Sequence, residues 1–281
     1  MTATGTPPNA TPSHVRRRVR RLKRRIKRTR LLFQGSFRRG LEDPNVPLSL
    51  DMGGDSRTLL VAFGGIHLEI GMPPFEFFSA TREIPTKKLF VRDLRAAWYH
   101  KGIEGHGDTI TAAAESLGEL IAGHDVDRLV TVGCSAGGYA ALAFGTLLGA
   151  DKALSFGPQT VIDPATIASI GDHRWDGPLG ELEAAGVLDP DWTDLSYALP
   201  RARHSDTRYE VYFSHNNTRP NTGPGRDRAH AERLRGVEGM HLYRFGRGGH
   251  LIAKMLREDG TLDKILRRAL LAERAQTAHT P

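Results

Sequence analysis

From about Asn45 onward, short apolar runs alternate with longer amphipathic stretches. Val46–Met52, Thr58–Phe63, Lys88–Arg92, Leu129–Cys134, Lys152–Phe156, Tyr209–Ser214 and Met240–Phe245 are five to seven residues long and rich in Val, Leu, Phe and Tyr, which predicts strands. Helical spacing follows most of them, over Asp108–Ala122, the Ala/Leu-rich stretch after Gly138, Asp227–Arg235, and Leu251–Arg274 with a break at Gly260. Pro73–Thr81 reads as an aromatic-rich loop or short helix. Regular β–α alternation predicts an α/β fold, with a mostly parallel sheet covered by helices on both faces. Pro158–His204 departs from this rhythm, being rich in Asp, Pro, Gly and Trp with only short helical pieces such as Leu179–Leu188, and reads as a lid or insertion. No internal repeat is visible. The expected organisation is an extension over 1–45 and one domain over 46–281, with the insertion at about 158–205.

The extension carries most of what is unusual in the charge. The whole chain sums to +7 with a pI of about 9.7. Thirteen Lys/Arg and no acidic residue lie between His14 and Arg39, and outside that stretch 26 basic residues face 32 acidic ones, so the body is mildly acidic. Met1–Ser13, rich in Thr, Pro, Ala and Gly, is expected to be disordered. In the basic run, Val15, Val19, Leu22, Ile26 and Phe33 fall at helical spacing, a narrow apolar stripe in a cationic field. An anionic surface would relieve the like-charge repulsion, so residues 14–33 suit a peripheral helix on anionic lipid. A solvated tail is the bland alternative. A nucleic-acid arm is disfavoured because aromatic residues are not interleaved with the charges. The run does not resemble a secretory signal: its basic part is long, Leu31-Leu32-Phe33 is short for an apolar core, and no small-residue cleavage site follows.

The remaining composition excludes little but does bound the class. A chain of 281 residues, 39% apolar, with a mean hydropathy of −0.37, can bury a large core and has no apolar run of the roughly 18–20 residues that spans a bilayer. Cys134 is the single cysteine, so an internal disulfide is excluded; a cytoplasmic setting, peripheral to a membrane, is the expectation. No His, Cys, Asp and Glu spacing suggests a metal site, and no cofactor is implied.

The chemistry concentrates at one bend. Gly133-Cys134-Ser135-Ala136-Gly137 joins a predicted strand to a predicted helix, the G-x-S-x-G pattern of a nucleophile elbow. A serine forced into so sharp a turn needs neighbours without bulky Cβ atoms two positions to either side. Its hydroxyl requires a base, and His250 follows the last strand in the Gly-rich loop Gly246-Arg247-Gly248-Gly249, able to turn back over the sheet edge. An acid should orient that imidazole, and the order serine, acid, histidine favours Asp227. Asp163 is the runner-up and Asp206 a poorer third, while a helix-start aspartate such as Asp227 serves equally as a cap. Oxyanion donors are expected at the Ala136 N–H and at Gly65 or Ile66, after the Thr58–Phe63 strand. Cys134, Trp98, Trp175 and Trp192 read as packing residues, and Asp172 and Asp176 form no ligand pattern.

Phe63-Gly64-Gly65, the elbow and Gly249-His250 resemble the α/β-hydrolase superfamily over about residues 46–276. Arg92-Asp93 with Trp98-Tyr99, Phe156-Gly157-Pro158-Gln159-Thr160 and Asp227-x-x-His230-Ala231 more loosely resemble small hydrolases associated with surface-polysaccharide biosynthesis. The resemblance implies a Ser135, Asp227 and His250 triad acting on a small-molecule or glycan-linked acyl ester by hydrolysis or acyl transfer. The sequence departs from many esterases in lacking a His-Gly-Gly-Gly loop and in the long interval before Asp227. The rival class is a non-catalytic scaffold of the same shape whose basic arm binds a partner.

Overall fold

The computed structural model describes residues 43, 45–66, 77–203, 206–216 and 225–271. The basic extension through residue 42, including 14–33, therefore lies outside the described residues, as do 67–76, 204–205, 217–224 and the tail from 272.

Seven strands form one sheet: β1 (Leu48–Asp51), β2 (Thr58–Phe63), β3 (Lys87–Val91), β4 (Arg128–Cys134), β5 (Lys152–Phe156), β6 (Arg208–Ser214) and β7 (Met240–Phe245). Their spatial order is β1-β3-β2-β4-β5-β6-β7, parallel throughout except for β1. From β2 the chain steps outward to β3, then passes back across β2 to β4 and proceeds the other way. The direction of winding thus reverses between β2 and β4, and the crevice outside their carboxyl ends is where open α/β sheets bind ligands.

The period-two alternation of the strands divides the core. Leu59, Val61 and Phe63 of β2 face one layer, with α2 (Ile110–Ala122) and α3 (Ala136–Leu147), while Leu60 and Ala62 face the other, with α8 (Ile252–Glu258) and α9 (Thr261–Leu271). Of α3, everything from Ala136 to Thr146 is buried, which its Ala and Gly content makes possible. α1 (Phe78–Thr81) is a single turn, so the aromatic stretch is only briefly helical where it is described. The predicted helix at Asp108 begins at Ile110 because Thr109 caps it, its side chain accepting the Ala112 N–H at 3.1 Å.

The segment between β5 and β6, expected to be an insertion, contains α4 (Pro164–Ser169), α5 (Asp176–Ala184) and α6 (Leu195–Ala202), followed after β6 by α7 (Arg226–Arg233). It is fastened to α3 by buried polar contacts. The Asp189 N–H donates to His100 Nδ1 (2.9 Å), so the proton of this imidazole sits on Nε2, which donates to the Tyr139 hydroxyl (2.9 Å). Tyr139 in turn donates to the Trp192 carbonyl at 2.6 Å. Trp98 and Trp192 are buried as packing residues, and Cys134 is half-buried against the second core layer.

Burial of His100 disfavours its charged form and lowers its pKa from 6.5 to about 4. The unfolded chain takes up this proton near pH 6.5 and the folded one only near pH 4, so the stabilisation is complete above pH 6.5 and is lost as pH falls through that window. Urea denaturation between pH 7 and pH 4 is expected to show an unfolding free energy that falls by about 3 kcal/mol more in the wild type than in H100Q. Parallel pH dependences in the two proteins would contradict this assignment.

Candidate active site

The bend between β4 and α3 is built by close backbone approach. A Cβ on Gly133 would lie 1.9 Å from the Gly137 carbonyl oxygen, and one on Gly137 would lie 2.3 Å from the Phe63 carbonyl oxygen at the end of β2. Both obstacles are backbone, so neither can move aside. Held between them, Ser135 adopts φ 56° and ψ −121°, a conformation that costs a non-glycine residue about 1–3 kcal/mol and persists because its surroundings over-determine it. The Ser135 N–H donates to the Phe156 carbonyl at 3.0 Å, which ties the bend to the end of β5.

Three side chains meet there. His250, in a single 3-10 turn (Gly249–Leu251) after β7, brings Nε2 to 3.0 Å from Ser135 Oγ. Its Nδ1 lies 3.0 Å from each oxygen of the Asp227 carboxylate. Asp227 stands in the first turn of α7, where the helix N-terminus favours an anion. Its side chain is 5% exposed and that of His250 is 23% exposed, so the acid is shielded while the imidazole edge reaches solvent. Burial acts to raise the pKa of Asp227, but the adjacent His250 and Arg174 outweigh it and hold the carboxyl below its ordinary value.

The other acidic candidates lie elsewhere. Asp163 caps α4, accepting the Thr166 N–H at 2.7 Å, and its carboxylate is thereby used by the helix end. Asp206 is exposed beside Arg203. Neither is a partner of His250, so Asp163 does not stand in as the alternative acid.

The oxyanion candidates sit around the same bend. Ala136 is the first residue of α3, so its N–H is among those that a helix leaves without an internal acceptor. Gly64 touches Gly137 across the β2–β4 switch. The Tyr99 hydroxyl donates to the Gly64 carbonyl at 2.9 Å, and in a trans peptide this turns the Gly65 N–H to the opposite side. Tyr99 itself is held by Asp93, whose buried carboxylate accepts N–H groups from Ala97 (2.8 Å), Tyr99 (2.9 Å) and Arg95 (3.2 Å). Those bonds sustain Ala96, Trp98 and Tyr99 at positive φ, between 48° and 63°. Asp93 and the Trp98-Tyr99 pair thus serve the loop that carries Tyr99 to the Gly64 carbonyl, while Arg92 donates to the Asp43 carbonyl ahead of β1. Trp98 Nε1 donates to Gln159 Oε1 at 2.8 Å, linking that loop to the segment after β5.

Sequence reasoning missed Arg174 and the pairing of Asp172 with His230. Arg174 reaches Asp227 Oδ1 (3.2 Å) and grips Asp172, which also meets His230 Nε2 at 3.1 Å. Among the described residues no group of three or more His, Cys, Asp or Glu side chains is arranged to hold a metal ion, and no helix is long and apolar enough to cross a membrane.

No protein-family model matches the sequence, and no curated protein matches it. Solved structures do. An α/β hydrolase enzyme from the metagenome of sediments from the lagoon of Mar Chica, Morocco, is 15% identical, with a TM-score of 0.50 over 79% of this chain and 93% of that one. The chain has the α/β-hydrolase fold. The capsule O-acetyltransferase of Neisseria meningitidis serogroup A is 12% identical, with a TM-score of 0.55 over 77% of this chain and 90% of that one. The Glycosylation Associate Protein complex of Streptococcus agalactiae matches at 18% identity and a TM-score of 0.55, over 81% of this chain and 44% of the longer one. The seven-stranded sheet and flanking helices of this α/β-hydrolase fold are as the sequence pattern predicts.

Because the bend leaves no room for a Cβ at Gly137, G137A is expected to lose about 2 kcal/mol or more of unfolding free energy, the cost of forced overpacking. Urea or thermal denaturation measures it, and wild-type stability in G137A would contradict the close approach on which the bend rests.

Proposed function

We propose that the chain is a serine hydrolase or acyltransferase acting on an acyl ester. The observation that carries this reading is the pair of contacts made by one imidazole, to Ser135 Oγ through Nε2 and to Asp227 through Nδ1. That arrangement is what general-base activation of a hydroxyl requires. Ser135 Oγ attacks the acyl carbonyl as His250 Nε2 takes its proton. The imidazolium so formed is stabilised by the Asp227 carboxylate and then protonates the departing alkoxide. The tetrahedral oxyanion is met by the Ala136 N–H and by that of Gly65 or Ile66, each worth about 3 kcal/mol to the transition state. Water, or an acceptor hydroxyl, resolves the acyl-enzyme with His250 acting again as base.

An acyl group carried on a glycan is the substrate class we favour. Support comes from the fold shared with a capsule O-acetyltransferase and a glycosylation-associated complex, together with the Asp93–Tyr99, Gln159 and His230 residues around the site. The basic residues 14–33 would hold such an enzyme at the anionic membrane surface, in keeping with the segregation of positive charge into the extension.

Against a short-chain acyl ester, S135A and H250A are expected to lose at least four orders of magnitude in kcat, and D227N about three to four, with each protein folded. Hydrolysis undiminished in S135A would overturn the reading of Ser135 as the nucleophile. Co-sedimentation with vesicles of anionic lipid is expected for the full chain and absent for a chain lacking residues 1–40. Equal binding by both would remove the membrane assignment.

A further inference from the structure

The contacts that begin at Ser135 do not stop at Asp227. Arg174 lies between two carboxylates, with Nη1 at 3.2 Å from Asp227 Oδ1 and its opposite edge on Asp172: Nε at 2.8 and 3.0 Å from the two oxygens and Nη2 at 2.5 Å from Oδ2. The Arg174 backbone N–H also donates to Asp172 Oδ1, at 3.1 Å. Asp172 is fixed from its far side by His230. Thr160 donates its N–H to His230 Nδ1 (3.1 Å), so the His230 proton is on Nε2, where it is donated to Asp172 Oδ2 (3.1 Å). The Thr160 hydroxyl donates to the His230 carbonyl at 2.8 Å. His230 is buried completely, and the Asp172 side chain is 1% exposed.

We infer that Arg174 is a positioning residue for the Asp227 carboxylate, held in place by the Asp172–His230 pair, so that the segment between α4 and α5 completes the catalytic apparatus. The inference rests on the Ser135–His250–Asp227 reading. Its geometric ground is that both Asp227 oxygens are equidistant from His250 Nδ1, so the imidazole alone leaves the rotation of the carboxylate open. Arg174 engages one oxygen and closes that freedom. A guanidinium suits this task because one edge grips Asp172 through a fork while the remaining nitrogen reaches Asp227. The titratable and charged groups facing Asp227 among the described residues are His250, Arg174 and, one turn further along α7, His230.

The arrangement also has an electrostatic consequence. Arg174 shares the charge of Asp227, so the imidazolium at His250 meets a partly neutralised anion. Removing the guanidinium strengthens the anion's hold on the proton while loosening its geometry. Two effects of opposite character are therefore expected from one substitution, and a role confined to packing would not move the pH midpoint.

The rate of covalent modification by a fluorophosphonate, followed from pH 5 to pH 9, reads both without knowledge of the natural substrate. In R174Q the plateau rate is expected to fall about tenfold, and the midpoint of the acidic limb to move up by about half a unit to one unit. In R174K, which keeps the charge and loses the fork, the midpoint stays at its wild-type position and the plateau falls. Wild-type midpoint and plateau in folded R174Q would overturn the inference. Where R174Q does not fold, R174K decides, and a wild-type plateau overturns it equally. Absence of any modification in the folded wild type is a different failure, which would take down the serine-hydrolase reading and this inference with it.

Discussion

Two backbones approach more closely at the β4–α3 bend than any side chain would permit, and the rest of the site follows from that constraint. Gly133 meets the carbonyl of Gly137, and Gly137 meets that of Phe63, so strand, helix and the neighbouring strand converge on one residue. The residue is Ser135, with φ at 56°, and its hydroxyl is directed to His250 Nε2. The conformational cost is borne by the apolar packing on either side: α3 is buried along almost its whole length, and Phe63, Tyr99 and Phe144 stack edge and face behind it.

Around this bend the sheet topology brings together elements that are far apart in the chain. The end of β2 supplies Gly64-Gly65, the end of β7 supplies His250, and α7 supplies Asp227. Polar groups in the low-dielectric interior then settle orientations that packing alone leaves open. Asp93 fixes the Tyr99 loop, Tyr99 fixes the Gly64 peptide, and His100 fixes the insertion against α3. The buried carboxylates Asp93, Asp172 and Asp227 each face donors, which is the condition under which such groups stabilise rather than disrupt.

The sequence made the bend legible because its cause is local and steric: glycines spaced two residues from a serine, after a β-branched run and before an Ala-rich one. The parallel sheet was legible for the same reason, since period-two and helical patterns alternate from β2 onward. Asp227 was harder, because the long interval after β6 carries no periodic signal and an aspartate in the first turn of a helix looks like a cap. The structure gives the capping role to Asp163 at α4. Arg174 and Asp172 were not legible at all. An ion pair across 53 positions leaves no pattern in the chain, and a sequence reading of Asp172 and Asp176 found only an absent metal site. The positive φ angles at Ala96, Trp98 and Tyr99 were hidden as well, because a carboxylate in the core sustains them and propensity does not.

The account rests on one hydroxyl made nucleophilic by an imidazole that is anchored by a carboxylate. Peptide mapping by mass spectrometry after fluorophosphonate treatment tests it most directly. The account predicts a single phosphonyl adduct, on Ser135 within the tryptic peptide 129–152, absent when His250 is replaced by alanine. An adduct carried by any other residue, or an unmodified Ser135 in correctly folded protein, would contradict it.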